Sequence, residues 1–493
     1  MLLPPSPRTV VSSLLVCAAT LLAACSEKPD SGPIVASAIG AAPALVDPAK
    51  GQLDPSARVL LDSTAQGLVR FDAAGQIEPG IAERWSVIDN GTSYIFRLRD
   101  AEWPDGQAVT AAEVVRLLRR QLVPRSRNIL APFLTAIDEI VEMTPEVIEI
   151  RLKRPRPDLL KLFAQPELAI FRVAPSQSGS GPFRILAQRG PVARLRPAFD
   201  PSRAADDQAA EPSTDANVKL IGERAAMAIA RFDAGLADVV LGGSFIDWPI
   251  VLETRIAPIA RRFDPAAGLF GLAFNNRDGV LANAVNRAAI ARSIDRAGFT
   301  AAISPEWEST VQLLPEQLDS AAPPALAAWT QASGPDDLSP RATIDAWRAA
   351  NPGTITMRVA LPPGPGATIL YGYVAGALAS LGIAAERVAP DAPADLRLID
   401  EVAPYDSARW YVARACQPCG GVAQLAIEAA READSPRLRS QQIAAADAAL
   451  ASDVAFIPIA RPLRWSLVSP RLRSWTANSR AWHPLNHLRP DTN

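Results

Sequence analysis

Between Gly80 and Gln121 the chain reads GIAERWSVIDNGTSYIFRLRDAEWPDGQAVTAAEVVRLLRRQ, a stretch whose local structure has few alternatives. Trp85 and Val87, then Tyr94, Phe96 and Leu98, alternate with polar neighbours at the period of half-buried strands. Asp89-Asn90-Gly91 separates the two runs, and Asn-Gly tolerates the positive φ that a tight hairpin demands. Pro104-Asp105-Gly106 supplies a second turn. Thr110-Ala111-Ala112-Glu113 then has the pattern of a capping box. In that pattern Thr110 can accept from the Glu113 amide, and the Glu113 carboxylate can accept from the Thr110 amide. The helix that follows should bury Val114, Val115, Leu117 and Leu118 and turn Arg116, Arg119 and Arg120 to water.

A chain of 493 residues has material for about two or three domains. Its formal net charge of -2 implies no strongly basic surface, so a nucleic-acid partner is not expected. The only histidines, His483 and His487, stand near the C-terminal end, which argues against a histidine-built metal site or general base. Neither His-Glu-x-x-His, a phosphate-cradling glycine loop nor Gly-x-Ser-x-Gly is present, so neither enzyme chemistry nor a cofactor is expected. The paired acids Asp206-Asp207 and Asp336-Asp337 fall in polar segments and read as solvated.

Residues 1–25 have the layout of an export signal. Arg8 precedes an apolar run, Val10 to Leu22, that is too short for a comfortable membrane span. The run ends Leu21-Leu22-Ala23-Ala24-Cys25, which resembles the lipobox of bacterial lipoproteins and implies lipid on Cys25. An ordinary signal peptide, cut after small residues, is the alternative. In an oxidising compartment Cys416-Gln417-Pro418-Cys419 should close a short disulfide. A redox motif or a zinc site would need a strand-to-helix turn or two further ligands, and neither is visible nearby.

The order of turns and caps in Gly80–Gln121 carries a resemblance. Ile81-Ala82-Glu83-Arg84-Trp85, then Asn90-Gly91 leading into Tyr94-Ile95-Phe96-Arg97-Leu98-Arg99, then Trp103-Pro104-Asp105-Gly106 leading into Thr110-Ala111-Ala112-Glu113-Val114-Val115, together resemble the family-5 extracellular solute-binding proteins. Leu53-Asp54-Pro55, Ser180-Gly181-Pro182-Phe183, Gly235-Leu236-Ala237-Asp238, Asn286 to Arg296 and Ala455-Phe456-Ile457-Pro458-Ile459 fall where that family has similar motifs. The resemblance therefore covers nearly the whole mature chain. It implies an α/β, two-lobed periplasmic-binding-protein-like fold of type II, with an extra inserted subdomain and a two-strand hinge. On this reading residues 26–45, 169–260 and 458–493 form lobe I, 46–168 the inserted subdomain and 261–457 lobe II. The crossings fall near Ala260 and Ile457. Helices are expected over Asn128 to Ile137, Pro155 to Phe163, Ala367 to Leu381, Val422 to Glu432 and Ser435 to Ser452.

By the same resemblance, the chain captures a peptide or peptide-like solute by hinge closure and delivers it to an ABC permease and ATPase. It is expected to act as a monomer held by lipid on the periplasmic side of the membrane, or free in the periplasm without the anchor. A family member repurposed as a sensor or interaction lipoprotein is the alternative. The cleft is where the chain departs from the family. Where the family ends a strand in Trp-x-Ala-Asp-Tyr, its Asp holding a peptide's amine, this chain has Glu401-Val402-Ala403-Pro404-Tyr405. Asp400, Glu401 or Asp406 could still offer a carboxylate to a cation, or the segment is simply a solvated loop. Gln66 replaces a family glutamate facing the cleft, Asn275 follows the expected hinge strand, and Trp103 and Trp410 either wall the cavity or pack internally.

Overall fold

A computed structural model describes residues 32–173, 177–198, 213–316, 318–330 and 339–489. Cys25 and both paired-acid segments lie outside these. Among the described residues the first sheet runs in the order Phe183–Arg189, Val192–Pro197, Val218–Glu223, Ile34–Ile39, Val239–Ser244, Arg464–Val468, Arg261–Asp264. Ile34–Ile39 lies in its middle, parallel to both neighbours, and its Ala36 and Ala38 are buried. Small side chains let helices lie close over a central parallel strand.

The second sheet runs Ala384–Val388, Thr356–Ala360, Leu396–Val402, Gly268–Phe274, Phe456–Ala460. Its parallel pair, Thr356–Ala360 with Ala384–Val388, is joined by the helix Pro365–Ser380. Every residue of Gly268–Phe274 is buried, as expected of a strand with both faces covered. Phe270 on this strand meets Phe245 at 4.8 Å and Trp307 at 4.9 Å, an edge-on aromatic cluster that includes a residue just beyond a strand of the first sheet.

A smaller antiparallel sheet, Ala82–Ile88, Ser93–Leu98, Val147–Leu152 and Ile137–Thr144, carries the helix Ala111–Leu122. Its first hairpin turns at Asp89, Asn90 and Gly91, all with positive φ. Thr110 accepts from the Glu113 amide at 3.4 Å, so half of the capping box forms. The other half does not. The Glu113 carboxylate is taken instead by Arg172, 2.8 Å from Nε and 2.7 Å from Nη2, and by Trp103 Nε1 at 3.0 Å. A charged donor outcompetes a solvated backbone amide for the same oxygens.

Two helix expectations are corrected as well. Asn128 to Ile137 holds only a short 3-10 turn, Ala131–Phe133, and Ile137 already starts a strand. Pro132 cannot donate to a helix ladder, and the Asn128 amide is committed to Gln121 and to the Glu167 carbonyl. The passage between the large sheets falls at 264–268 and returns at 460–464. Arg261–Asp264 therefore pairs within the first sheet, against Arg464–Leu467. The helix predicted from Pro155 narrows to Leu159–Phe163. Cys416 and Cys419 are joined by a disulfide.

Candidate functional site

Where Leu159–Phe163 and the residues flanking it meet the segment after Leu396–Val402, charged groups far apart in sequence converge. Lys161 Nζ forms an ion pair with Asp406, which also pairs with Arg480. The Gln165 amide donates to the Pro404 carbonyl at 2.6 Å. Arg156 donates to the Arg431 carbonyl at 2.6 Å, and Arg154 pairs with Glu432 at 2.9 Å. These contacts form a seam between residues 154–165, which follow the smaller sheet's strand Val147–Leu152, and the segments that follow Tyr405.

Inside the seam lies a cavity of about 10 Å³, lined by Phe133, Leu159, Arg156, Asp158, Tyr405, Arg409 and Arg439 among others. Such a space holds about one water-sized group. Arg439 is neutralised by Asp319 at 3.1 Å and donates to Ser407 Oγ at 2.7 Å. Asp319 is further fixed by the Ala408 amide at 2.7 Å and the Ser407 hydroxyl at 3.0 Å. Arg409, only 4% exposed, has its guanidinium 5.7 Å from the Phe133 ring centre. Burial, with Arg439 and Arg409 close by, pushes the Arg156 guanidinium down to about 9. Burial also raises the Tyr405 phenol and the Asp158 carboxyl above their ordinary values. Burial thus disfavours charge of either sign in this neighbourhood.

The sequence candidates divide. Tyr405 lines the cavity, its ring edge-on to Phe133 at 5.7 Å, and Asp406 sits in the seam. Asp400 lies on the strand Leu396–Val402 and pairs with Arg464 at 2.8 Å; burial raises its carboxyl and Arg464 draws it back. Glu401, on the same strand, accepts from Arg414 Nε at 2.7 Å. Gln66 is buried and donates to the Ser180 carbonyl at 2.7 Å. Trp103 is enclosed in the smaller sheet's core, with the Arg172 guanidinium 4.2 Å from its ring centre. Asn275 is half-buried and its amide donates to the Asp395 carbonyl at 2.8 Å. Trp410 packs edge-on against Tyr411 at 5.0 Å.

Arg156, Asp158, Arg409 and Arg439 were not foreseen. A signal existed for one of them: Arg409 interrupts the otherwise apolar run Ala408-Trp410-Tyr411-Val412 and is buried with it. The two histidines dock the C-terminal segment. His483 lies 3.1 Å from Asp264, and His487 lies 2.8 Å from Glu78. Among the described residues no group of three or more His, Cys, Asp or Glu is placed to hold a metal.

Two α/β units around separate sheets, with a third small sheet packed against the seam, define the two-lobed α/β class of binding proteins. The family model of the bacterial extracellular solute-binding proteins, family 5, matches residues 76–342, and the chain belongs to this family. A probable deoxycholate-binding periplasmic protein of Escherichia coli, YgiS, is 39% identical over 93 residues, 19% of this chain and 17% of that protein. The periplasmic murein peptide-binding protein MppA of E. coli is 40% identical over 92 residues, 18% of this chain and 16% of its own. The aligned segments therefore span under a fifth of these relatives' lengths. Likeness in fold extends much further. The structure of the E. coli murein tripeptide binding protein MppA matches with a TM-score of 0.77 at 17% identity, over 93% of this chain and 98% of that one. Haemophilus influenzae OppA in complex with RPPGFSPFR matches with a TM-score of 0.76 at 15% identity, over 92% and 98%.

Proposed function

We propose that this chain is the solute-capturing component of an ABC importer. It takes a peptide or peptide-like solute between its lobes by hinge closure and presents it to a permease and ATPase. The observation that carries the reading is the seam, where Lys161 pairs with Asp406, 245 residues away in sequence, and Gln165 holds the Pro404 carbonyl. A solute that touches both sides of such a seam binds the closed form better and shifts the hinge equilibrium toward it. Relatives named for murein peptide binding, and an OppA bound to RPPGFSPFR, support a peptide-like solute.

On this reading the lobes comprise 26–45 with 169–264 and 461–493, and 265–460, with 46–168 as the inserted subdomain. Cys25 carries the lipid that holds a monomer on the periplasmic side of the membrane. Tyr405 and Asp406 are the sequence candidates that reach solute. Nothing in the reading requires catalysis or a cofactor.

A second reading, a sensor or interaction lipoprotein, has one observation in its favour. Asp400, Glu401 and Asp406 are each already paired with a cation of the chain itself, and Pro404 stands where the resemblance implies an amine-holding Asp. Native mass spectrometry of the chain starting after Cys25, challenged with mixed two- to five-residue peptides, separates the two. A retained or acquired peptide mass is expected. An apo mass that no peptide changes would move the weight to the sensor reading.

A further inference from the structure

The 3-10 turn Pro48–Lys50 lies against the helix Ala111–Leu122, and together with the loop that follows the helix they enclose a groove of about 430 Å³, none of whose lining residues belongs to the seam. Among the described residues its wall carries five cations, Lys50, Arg116, Arg119, Arg120 and Arg125, against one carboxylate, Asp47. Asp47 is buried and already committed. One oxygen accepts from the Ala49 amide at 3.1 Å and caps the turn, and the other pairs with Arg120. The Arg127 amide donates to the Ala49 carbonyl at 2.9 Å and braces the same turn from the loop side. Arg116 lies 3.1 Å from Glu113, but that carboxylate is shared with Arg172 and Trp103. Arg119 donates to the Ile140 carbonyl at 2.6 Å, a contact that leaves its charge unneutralised. Lys50 and Arg125 are exposed and make no ion pair among the described residues. Arg119 and Arg120 have a local reason to be there, since cations in the last turn of a helix offset the negative end of its dipole. That reason does not reach Lys50 or Arg125, which lie outside the helix, nor Arg116, whose neighbours at i+3 and i+4 are like charges that repel it. In a chain of net charge -2, five cations around one concave wall focus a positive potential where a small anion can enter.

We propose that this groove is a binding site for a phosphate-bearing anion, held by Lys50, Arg116 and Arg125 at its rim and by Arg119 and Arg120 in its wall. A surplus of several positive charges calls for a polyanion, and a phosphate group concentrates up to about two negative charges and three acceptor oxygens on one centre. Guanidinium forks match pairs of those oxygens, and several forks can meet one phosphate from different directions. The volume is that of a small-molecule site, so a phosphate and the group esterified to it both fit, with Ala49 and Val123 as the uncharged part of the wall. The anion has two possible sources. It is the headgroup of an anionic phospholipid, which rests on the lipid anchor at Cys25 proposed above, or a soluble phosphate ester, which does not. Neither rests on the import reading, because the lining residues all come from 47–50 and 116–126.

The test titrates sodium pyrophosphate into the purified chain starting after Cys25, by calorimetry at low ionic strength. Saturable binding with a Kd of about 10–100 µM is expected, weakening about tenfold as salt rises to about 0.3 M. Arg125→Glu, at an exposed position, should weaken it about tenfold or more. Arg437→Glu makes the same change of charge at an exposed position of the helix Pro436–Asp453, outside the groove, and should alter the affinity by less than about twofold. Citrate, a polyanion without phosphorus, should bind several-fold more weakly than pyrophosphate. Absence of saturable binding in the parent, or equal losses in the two variants, overturns the site, and citrate binding as tightly as pyrophosphate overturns the phosphate assignment. Flotation with vesicles of phosphatidylcholine, with and without a minority of phosphatidylglycerol, then distinguishes the sources. Phosphatidylglycerol-dependent flotation that Arg125→Glu removes assigns the groove to a lipid headgroup, and pyrophosphate binding without flotation assigns it to a soluble ester. Failure of every peptide to bind, with the pyrophosphate response intact, would reject the import reading and leave the groove standing.

Discussion

Asp447 illustrates how a single buried carboxyl sets a pH dependence. It is 2% exposed, accepts from the Ala325 amide at 2.7 Å through one oxygen, and its other oxygen has no partner. Burial raises it from 3.8 to about 6. The folded state therefore binds this proton more tightly than the unfolded one. The group's cost is fully present above about pH 6 and fades as the pH falls toward about 4. Asp447→Asn should stabilise the protein by about 1–2 kcal/mol at pH 7.5, with the gap closing by pH 4, as urea titrations at the two pH values would read. Glu113 behaves oppositely, held below the usual carboxylate range chiefly by its hydrogen bonds to Arg172. Glu113→Gln should cost about 2–3 kcal/mol, since it leaves the Arg172 guanidinium largely buried and short of its main partner. The capping pattern made Glu113 legible as important, but for a different partner. Arg172 is far along the chain, and no local pattern could announce it.

At the scale of elements, most of what formed was written locally. The hairpin over 82–98 and the helix Ala111–Leu122 follow from alternation, an Asn-Gly turn and a threonine cap. Asn128 to Ile137 failed as a helix because its side-chain commitments and Pro132 outweighed a helical pattern of apolar residues. The strand Leu396–Val402 takes in Asp400 and Glu401, because Gly268–Phe274 continues the ladder beside it. The turn before Phe183 gives a test of a close approach. A Cβ on Gly181 would lie 2.5 Å from the Ala65 amide nitrogen, and its own amide donates to the Thr64 carbonyl at 2.9 Å. Gly181→Ala should destabilise by about 2 kcal/mol or more, read as a lower chemical-denaturation midpoint, since backbone on both sides must shift.

For the whole molecule, the seam decides how the parts stand relative to one another. Asp406 is shared by Lys161 and by Arg480, the latter buried, so removing its charge leaves Arg480 without that neutralising partner. If the proposed hinge closure is how this chain works, Asp406→Asn should shift its closed-to-open balance by about 1–2 kcal/mol toward the open form. Small-angle scattering should then show a larger radius of gyration in the variant, and an unchanged value would mean that Asp406 does not hold the seam. The sequence by itself determined the alternations, turns, caps and motif order that mark a family-5 solute-binding protein, because those depend on neighbours within a few residues. Only the tertiary structure decided that Asp400, Glu401 and Asp406 are spoken for, that Trp103 is core, and that Arg409 shares a cavity wall with Tyr405. Charge pairing and burial are fixed by contacts between segments hundreds of residues apart, and no local periodicity encodes them.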